Sequence, residues 1–525
     1  MKDLLKNWWF GLLLAACLIV FEISTVLVPI LSTPPGYRWL GAGIFNTGDM
    51  AVYLNYLAQA KHSFLITNLF NNLPQIPRFD LFWSMGGLLM RFGLTPLWAH
   101  EILRWLCTII LGLAIYATAK VVTKTERHAR ITSLLIVGGL STGWIYDLWM
   151  GLADKWTHHS PATADLASEF AVAPTLLGGA HMILSLALQL LIVRWIWEAI
   201  FLINKKSLLY ACLAILVLSA FHPYFIPLFG LISLIAFFAS LKSHNWKVPL
   251  LYTLLINLSL LPFVFYYFWI MVNDQGFRVH QTQINSLPLD AWYFWIIMLL
   301  PFIFAAGWMV YRRQCTDIKW VMAWIIAALI CMLLPFPWTR KYTQGLLPAL
   351  VILTLPFWLM LADKVSSKKI ILPFKLCLII LIAFPYIHLF QTQVFMVTDP
   401  YWSKNFYRSL EVFKAWDYIQ QTSKENDLFL ATDQWSNYWT PAYTIQKVWI
   451  GHEHETPDFK SRITPYLDWT KTGDALGFKN FLDKTPITKV IATDPDQVKR
   501  LEALMDKQTW EEAYESLGSA VWQRK

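Results

Sequence analysis

Residues 46–62 read NTGDMAVYLNYLAQAKH, directly after a Pro/Gly-rich stretch and a long apolar run. Met50, Tyr53, Leu54 and Leu57 recur at the i, i+3, i+4, i+7 spacing of one helix face, which predicts a helix from Asp49 to Ala60. Asp49 stands at its amino end, after Thr47 and Gly48. A carboxylate there satisfies free backbone N–H groups as a cap. It can also serve as a base, if this loop faces a polar cavity outside the membrane. Both roles use the same residue at the same place, so the rest of the chain has to decide.

Outward from that helix the chain is strongly apolar. Its 525 residues are 56% hydrophobic and only 15% charged, with a mean hydropathy of +0.45, the composition of an integral membrane protein. A span needs roughly 20 mostly apolar residues. About eleven segments meet that measure: 8–30, 96–119, 131–149, 174–203, 208–221, 223–241, 248–271, 291–311, 319–335, 345–362 and 370–390. The expected fold is therefore a polytopic α-helical membrane protein. The N-terminal run carries no small-residue cleavage site and reads as a retained first helix. Residues 79–92 (FDLFWSMGGLLMRF) are too short and too amphipathic to span and are expected to lie on the membrane surface.

Charge divides the chain in two. Residues 396–525 hold 16 Lys+Arg and 19 Asp+Glu, leaving 27 basic and 15 acidic residues before them. The expected domains are thus a membrane body, 1–395, with a first outer loop at 31–95, and a small α/β domain, 396–525. The +9 net charge reflects orientation and does not call for nucleic acid. Basic residues gather in one set of loops (Lys2, Lys6, Lys124, Arg127, Arg130, Lys205, Lys206, Arg312, Arg313, Lys368), and acids such as Asp49, Asp80, Asp147 and Asp274 in the other. By the positive-inside rule the first set and the N-terminus are cytoplasmic, and the opening loop and the tail extracytoplasmic. A multi-pass protein of the cell (inner) membrane is expected.

In the tail, FYRSLEVFKAWDYIQQ and DQVKRLEALMD read as helices, and DLFLATD, KVWIGHE, TKVIATD and SAVWQRK as strands. All six cysteines lie in or beside apolar segments, so no disulfide framework or CxxC metal site is expected.

Three further polar groups need a reason. Residues 147–182 bring Asp147, Asp154, His158, His159, Asp165, Glu169 and His181 into one outer loop and the top of the next span. Asp165 and Glu169, four apart, would share a helix face. They can supply a second acid–base group or hard oxygen ligands for a divalent cation such as Mg or Mn; a solvated acidic loop reads the same way. In PFPWTRKYTQGLLP (335–348), Arg340 and Lys341 are adjacent cations in an outer loop of the body. They suit a phosphate at headgroup depth, or a lipid anchor. Glu22, inside the first span, and Tyr53, Asp165, His181 and His222 are the candidates for lining a cavity.

Taken together, GDMAVYLNYLAQA, NNLPQIPRFDLFWSMGGLLMRFGL, HEILRWL and the TRKYTQGLLP loop resemble the GT-C glycosyltransferases, the superfamily of protein O-mannosyltransferases and aminoarabinose lipid A transferases. The resemblance implies an inverting transfer of a sugar from a polyprenyl-phosphate-linked donor to a glycan, lipid or protein acceptor on the extracytoplasmic face. It makes Asp49 the catalytic acid of the first loop, and Arg340, with Lys341, the holder of the donor phosphate. Many members carry paired acids in that loop, whereas Met50 follows Asp49 here. Glu169 or Asp165 is then the candidate second carboxylate, and a metal would have Asp49, Asp165 and Glu169 as ligands. A transporter or flippase for lipid-linked saccharides is the rival from another class, although the sequence carries no inverted repeat. A polysaccharide polymerase or ligase shares the donor but lacks the first-loop acid.

Overall fold

The computed structural model describes residues 2–43, 47–142, 170–282, 292–312, 318–335, 338–366, 372–472 and 474–525. They form two compact units. The first gathers residues 1–25, 102–267 and 284–393; the second gathers 26–101, 268–283 and 394–525.

The first unit is helical. Ala180–Phe201 packs against Lys205–Ser219 and Ile226–Ser240, and Ile226–Ser240 against Lys319–Leu333. Among the described residues, five helices are long and apolar enough to cross a membrane: Asn7–Leu31, Pro96–Val122, Ala180–Phe201, Pro223–Ser240 and Lys247–Asn273. A sixth is added if Thr339–Leu353 and Leu355–Lys364, bent by 55°, form one span. Two apolar runs fold as helices shorter than a bilayer requires, Lys205–Ser219 and Lys319–Leu333, whereas the apolar helices Trp292–Tyr311 and Leu372–Thr398 reach the length of a span. The expected span at 131–149 lies partly outside the described residues.

The second unit holds every described strand. Tyr37–Trp39 (β1) pairs antiparallel with Tyr407–Ser409 (β4), and Leu65–Ile66 (β2) with Arg78–Phe79 (β3). A five-stranded sheet is built from Leu428–Ala431 (β5), Lys447–Val448 (β6), Lys489–Ala492 (β7), Trp510–Ser516 (β8) and Ser519–Arg524 (β9). The strands run in the order β6-β5-β7-β9-β8, with β5 parallel to β6 and β7 and the other pairs antiparallel. β5 and β7 are buried throughout, which explains their nearly unbroken apolar sequence. Helices flank the sheet, with Ile450, Tyr466, Trp469, Phe478 and Leu501 in a core over its strands.

The tail helices and three of its strands fall where the sequence placed them. The run KVWIGHE does not: only Lys447–Val448 pairs, and the chain then leaves the sheet as a loop. β8 escapes the reading because it is an edge strand whose Glu511, Glu512 and Glu515 are all exposed, which breaks any apolar alternation. Nor does the compact grouping follow the compositional boundary at residue 396. Residues 26–101 belong with the tail, because β1 pairs with β4 and the Thr47–Ala60 helix packs on Gln434–Thr444.

Candidate active site

Asp49 lies in the first turn of the Thr47–Ala60 helix. Its Oδ1 accepts a hydrogen bond of 2.8 Å from Nε2 of His452. His452 sits in the loop after β6, and its Nδ1 accepts the amide of His454 at 3.1 Å. The ring proton therefore resides on Nε2, directed at the carboxylate. The imidazole is held edge-on by Tyr438 and Phe70, and the loop is tied down by Asn68, which donates to the Glu455 carbonyl and carboxylate at 2.9 and 2.8 Å. Burial lowers the His452 pKa, but the Asp49 bond and charge, with Glu455 and Glu453 nearby, outweigh it and raise the net value.

Exposure separates the two partners: the Asp49 side chain is 33% exposed and that of His452 only 7%. The Asp49 carboxylate is thus partly accessible, while the buried His452 holds it from one side. Gly48 makes this approach fit. A Cβ there would stand 2.7 Å from Tyr438 and 2.9 Å from His452, closer than carbon atoms approach. Behind the same helix Tyr53 is buried, stacked on Trp83 at 5.2 Å and on His100 at 6.3 Å. The three quoted stretches GDMAVYL, DLFWSMGG and HEILRWL therefore meet in one aromatic layer. Tyr53 supports the helix from that layer. Asp80 caps the Leu81–Arg91 helix by accepting from Phe82 and Trp83; burial pushes its carboxyl up to about 7.

The first unit carries the cationic cluster. Arg340 and Lys341 lie in the 3-10 turn Thr339–Thr343, with Arg340 half-buried and Lys341 buried. Gln344 anchors this turn. Its Nε2 donates to the Met182 carbonyl at 2.9 Å, and its Oε1 accepts from Ser185 and Gln189 at 3.0 and 2.8 Å. Gly345 follows in a left-handed conformation, φ +78, where a Cβ would lie 2.5 Å from Trp324. His181 and His222 come together with ring centroids 5.6 Å apart. Burial, then the neighbouring His181 and Lys341, holds the His222 pKa well below its ordinary value. The sequence-predicted Lys341, His181 and His222 thus share one electrostatic neighbourhood.

Glu22 is fully buried. Its Oε1 accepts from Thr108 at 2.7 Å, and Arg104 donates to its backbone carbonyl at 3.0 Å. These bonds tie the first helix to Pro96–Val122 within the first unit. Asp165 and Glu169 lie outside the described residues, as do Asp147, Asp154, His158 and His159. Among the described residues no group of three or more His, Cys, Asp or Glu side chains could hold a metal ion.

Sequence reasoning missed His452. The signal was the run GHEHE at 451–455, two histidines and two glutamates in a row of five, read there as the end of a strand.

No protein-family model matches the chain, and no curated protein matches it. Among solved structures, the chain is similar to ArnT from Cupriavidus metallidurans bound to undecaprenyl phosphate, at 12% identity and a TM-score of 0.48, covering 97% of this chain and 98% of that one. It is similar to the apo state of the same protein at 12% identity and a TM-score of 0.48, with 97% of each chain covered. At that TM-score the similarity carries no inference about chemistry, which rests on the residues of this chain.

Proposed function

We propose that this protein is an integral membrane glycosyltransferase that moves a sugar from a polyprenyl-phosphate-linked donor to an acceptor on the extracytoplasmic face. The observation that carries the reading is the Asp49–His452 pair: an accessible carboxylate oriented by a buried imidazole N–H. In the proposed reaction the acceptor oxygen attacks the anomeric carbon of the donor while Asp49 takes its proton. The carbon–oxygen bond to the donor phosphate breaks, and its electron pair leaves with the phosphate. One displacement inverts the anomeric centre. Arg340 and Lys341 are assigned the departing phosphate, whose charge a forked guanidinium and an ammonium stabilise.

A lipid donor accounts for the apolar body, since its tail stays in the bilayer while the reactive end is polar. The sequestering of basic residues in one set of loops supports the extracytoplasmic assignment of the opening loop and tail. Glu169 and Asp165 remain the proposed second carboxylate, and Mg or Mn the proposed metal if one takes part.

The test is Asp49→Asn, assayed for sugar transfer from a synthetic polyprenyl-phosphate sugar by the purified protein in detergent. The amide keeps the shape and one acceptor oxygen but takes no proton. Turnover is expected to fall about 10²–10⁴-fold, with stability changed by no more than about 1 kcal/mol. Turnover near wild type would return Asp49 to a helix-end role and remove the basis of the proposal.

A further inference from the structure

A cleft of about 690 Å³ opens in the second unit, and neither Asp49 nor His452 lines it. Its place follows from the sheet. β5 leads through Gln434–Thr444 to β6 on one side, whereas β7, on the other side of β5, leads through Pro495–Leu504 towards β8 and β9. The two connections leave adjacent parallel strands in opposite directions. Open α/β sheets part at such a point, and ligands bind in the crevice beyond the carboxyl ends of the strands. The cleft is lined by the residues that follow those ends, Asp433, Gln434 and Trp435 after β5 and Thr493 and Asp494 after β7, with β4 and the β1 residue Tyr37 forming another part of its wall.

The lining chemistry narrows the ligand. Two cations and two anions face the cleft: Lys404, Arg408, Asp433 and Asp494. Arg408 is committed inward. It donates to Asp433 at 2.8 Å, to Ser436 at 3.1 Å and to the Tyr407 carbonyl at 2.7 Å, and also bonds the Lys404 carbonyl. Asp433 and Asp494 each cap the helix that begins beside them, accepting from Ser436 and Gln497. Both helix amino ends are thus already satisfied by their own carboxylates, which opposes an anion there. The Thr493 hydroxyl is also committed, to Gln497 and Thr432; what remains for a ligand is balanced in charge, Lys404 against Asp494, and holds neutral donors and acceptors, the Gln434 amide and the Ser403 and Ser409 hydroxyls. Trp435 and the half-exposed Tyr37 add flat apolar faces.

Neutral hydrogen-bonding groups beside aromatic faces, in a cleft of ligand size, fit a polyhydroxylated ring. We infer that this cleft binds a neutral saccharide. The inference stands on the second unit alone and does not require the transferase reading.

The test uses the full-length protein in a detergent without a sugar headgroup, applied to an array of immobilised neutral and acidic oligosaccharides, with inorganic phosphate titrated separately by calorimetry. Binding to neutral glycans is expected. Gln434→Ala and Trp435→Ala should each weaken it about tenfold, the loss of one to two good contacts. Tyr37→Ala, on an exposed rim position, should weaken it too and decides the matter if Trp435→Ala lowers the melting temperature. The transferase proposal is read by turnover and this inference by glycan binding to the cleft variants, so failure of one is distinguishable from failure of the other. No neutral glycan bound above background, binding indifferent to the cleft variants, or phosphate bound in place of glycan would each overturn the inference.

Discussion

The two candidate clusters are held by different forces. Around Asp49 the fixing contact is charged: a carboxylate bonded to an imidazole that three acids polarise. Around Arg340 the fixing contacts are neutral, with Gln344 bonded to Ser185, Gln189 and the Met182 carbonyl. The difference follows from surroundings. A helical body of this composition gives little solvent to a charge, so uncharged amides and hydroxyls carry the clamping. Ion pairs occur in both units, Arg408–Asp433 and Lys489–Asp427 in the second and Arg194–Glu198 and Arg127–Asp363 in the first, so the contrast is one between the two clusters. Substitutions should therefore act through charge in one cluster and through hydrogen-bond satisfaction in the other.

The sharpest way to break that contrast is His452. Its hydrogen bond to a charged group is worth about 1.5–3 kcal/mol, so His452→Ala should slow transfer by up to about 100-fold. Without the donor the Asp49 carboxylate becomes more basic, and the acidic limb of the pH–rate profile should move to higher pH. His452→Gln, which retains an N–H, should recover part of the rate. An unmoved pH profile in His452→Ala would show that the imidazole only fills space.

Arg340→Ala tests the cationic side. Donor affinity should fall about tenfold or more, the value of a charge-assisted bond. Arg340→Lys should restore only part, because a point charge replaces a forked donor. Equal donor affinity for wild type, Lys and Ala in detergent would leave Arg340 as a membrane anchor.

Gln344→Leu removes three neutral bonds and leaves buried Ser185, Gln189 and a carbonyl short of a partner. Each such group costs about 1–3 kcal/mol, so the melting temperature should drop, with no dependence on pH between 5 and 8. A pH-dependent loss would mean that a charge shares the clamp.

The titration of Asp80 sharpens the charged side. Asp80 titrates at about 7 in the folded chain against an ordinary 3.8. Between those values the folded state keeps a proton that the unfolded chain has released, so stability falls as pH rises from about 4 through about 7 and then levels. Asp80→Asn keeps the capping oxygen and removes the titration. Its melting temperature should exceed the wild type's by a margin that widens over that window. A constant margin would sink the assignment.

Much of this was legible in the residues. The spacing of Met50, Tyr53, Leu54 and Leu57 marked the helix that carries Asp49, and the runs at β5 and β7 marked strands, because such patterns are local consequences of side-chain type. Arg340 and Lys341 stood out because adjacent cations break the bias of the other outer loops. His452 did not, since GHEHE has no periodicity and its meaning depends on Asp49.

The sequence by itself determined the class of molecule, the position of most tail elements and one of the two partners at the acid, since hydropathy, period and charge are properties of neighbouring residues. Only the tertiary structure decided that residues 26–101 belong with the tail, that His452 reaches Asp49, and that β5 and β7 diverge around a cleft. Those facts rest on pairing and packing of segments far apart in the chain, where the free energy is gained on contact and leaves no local pattern.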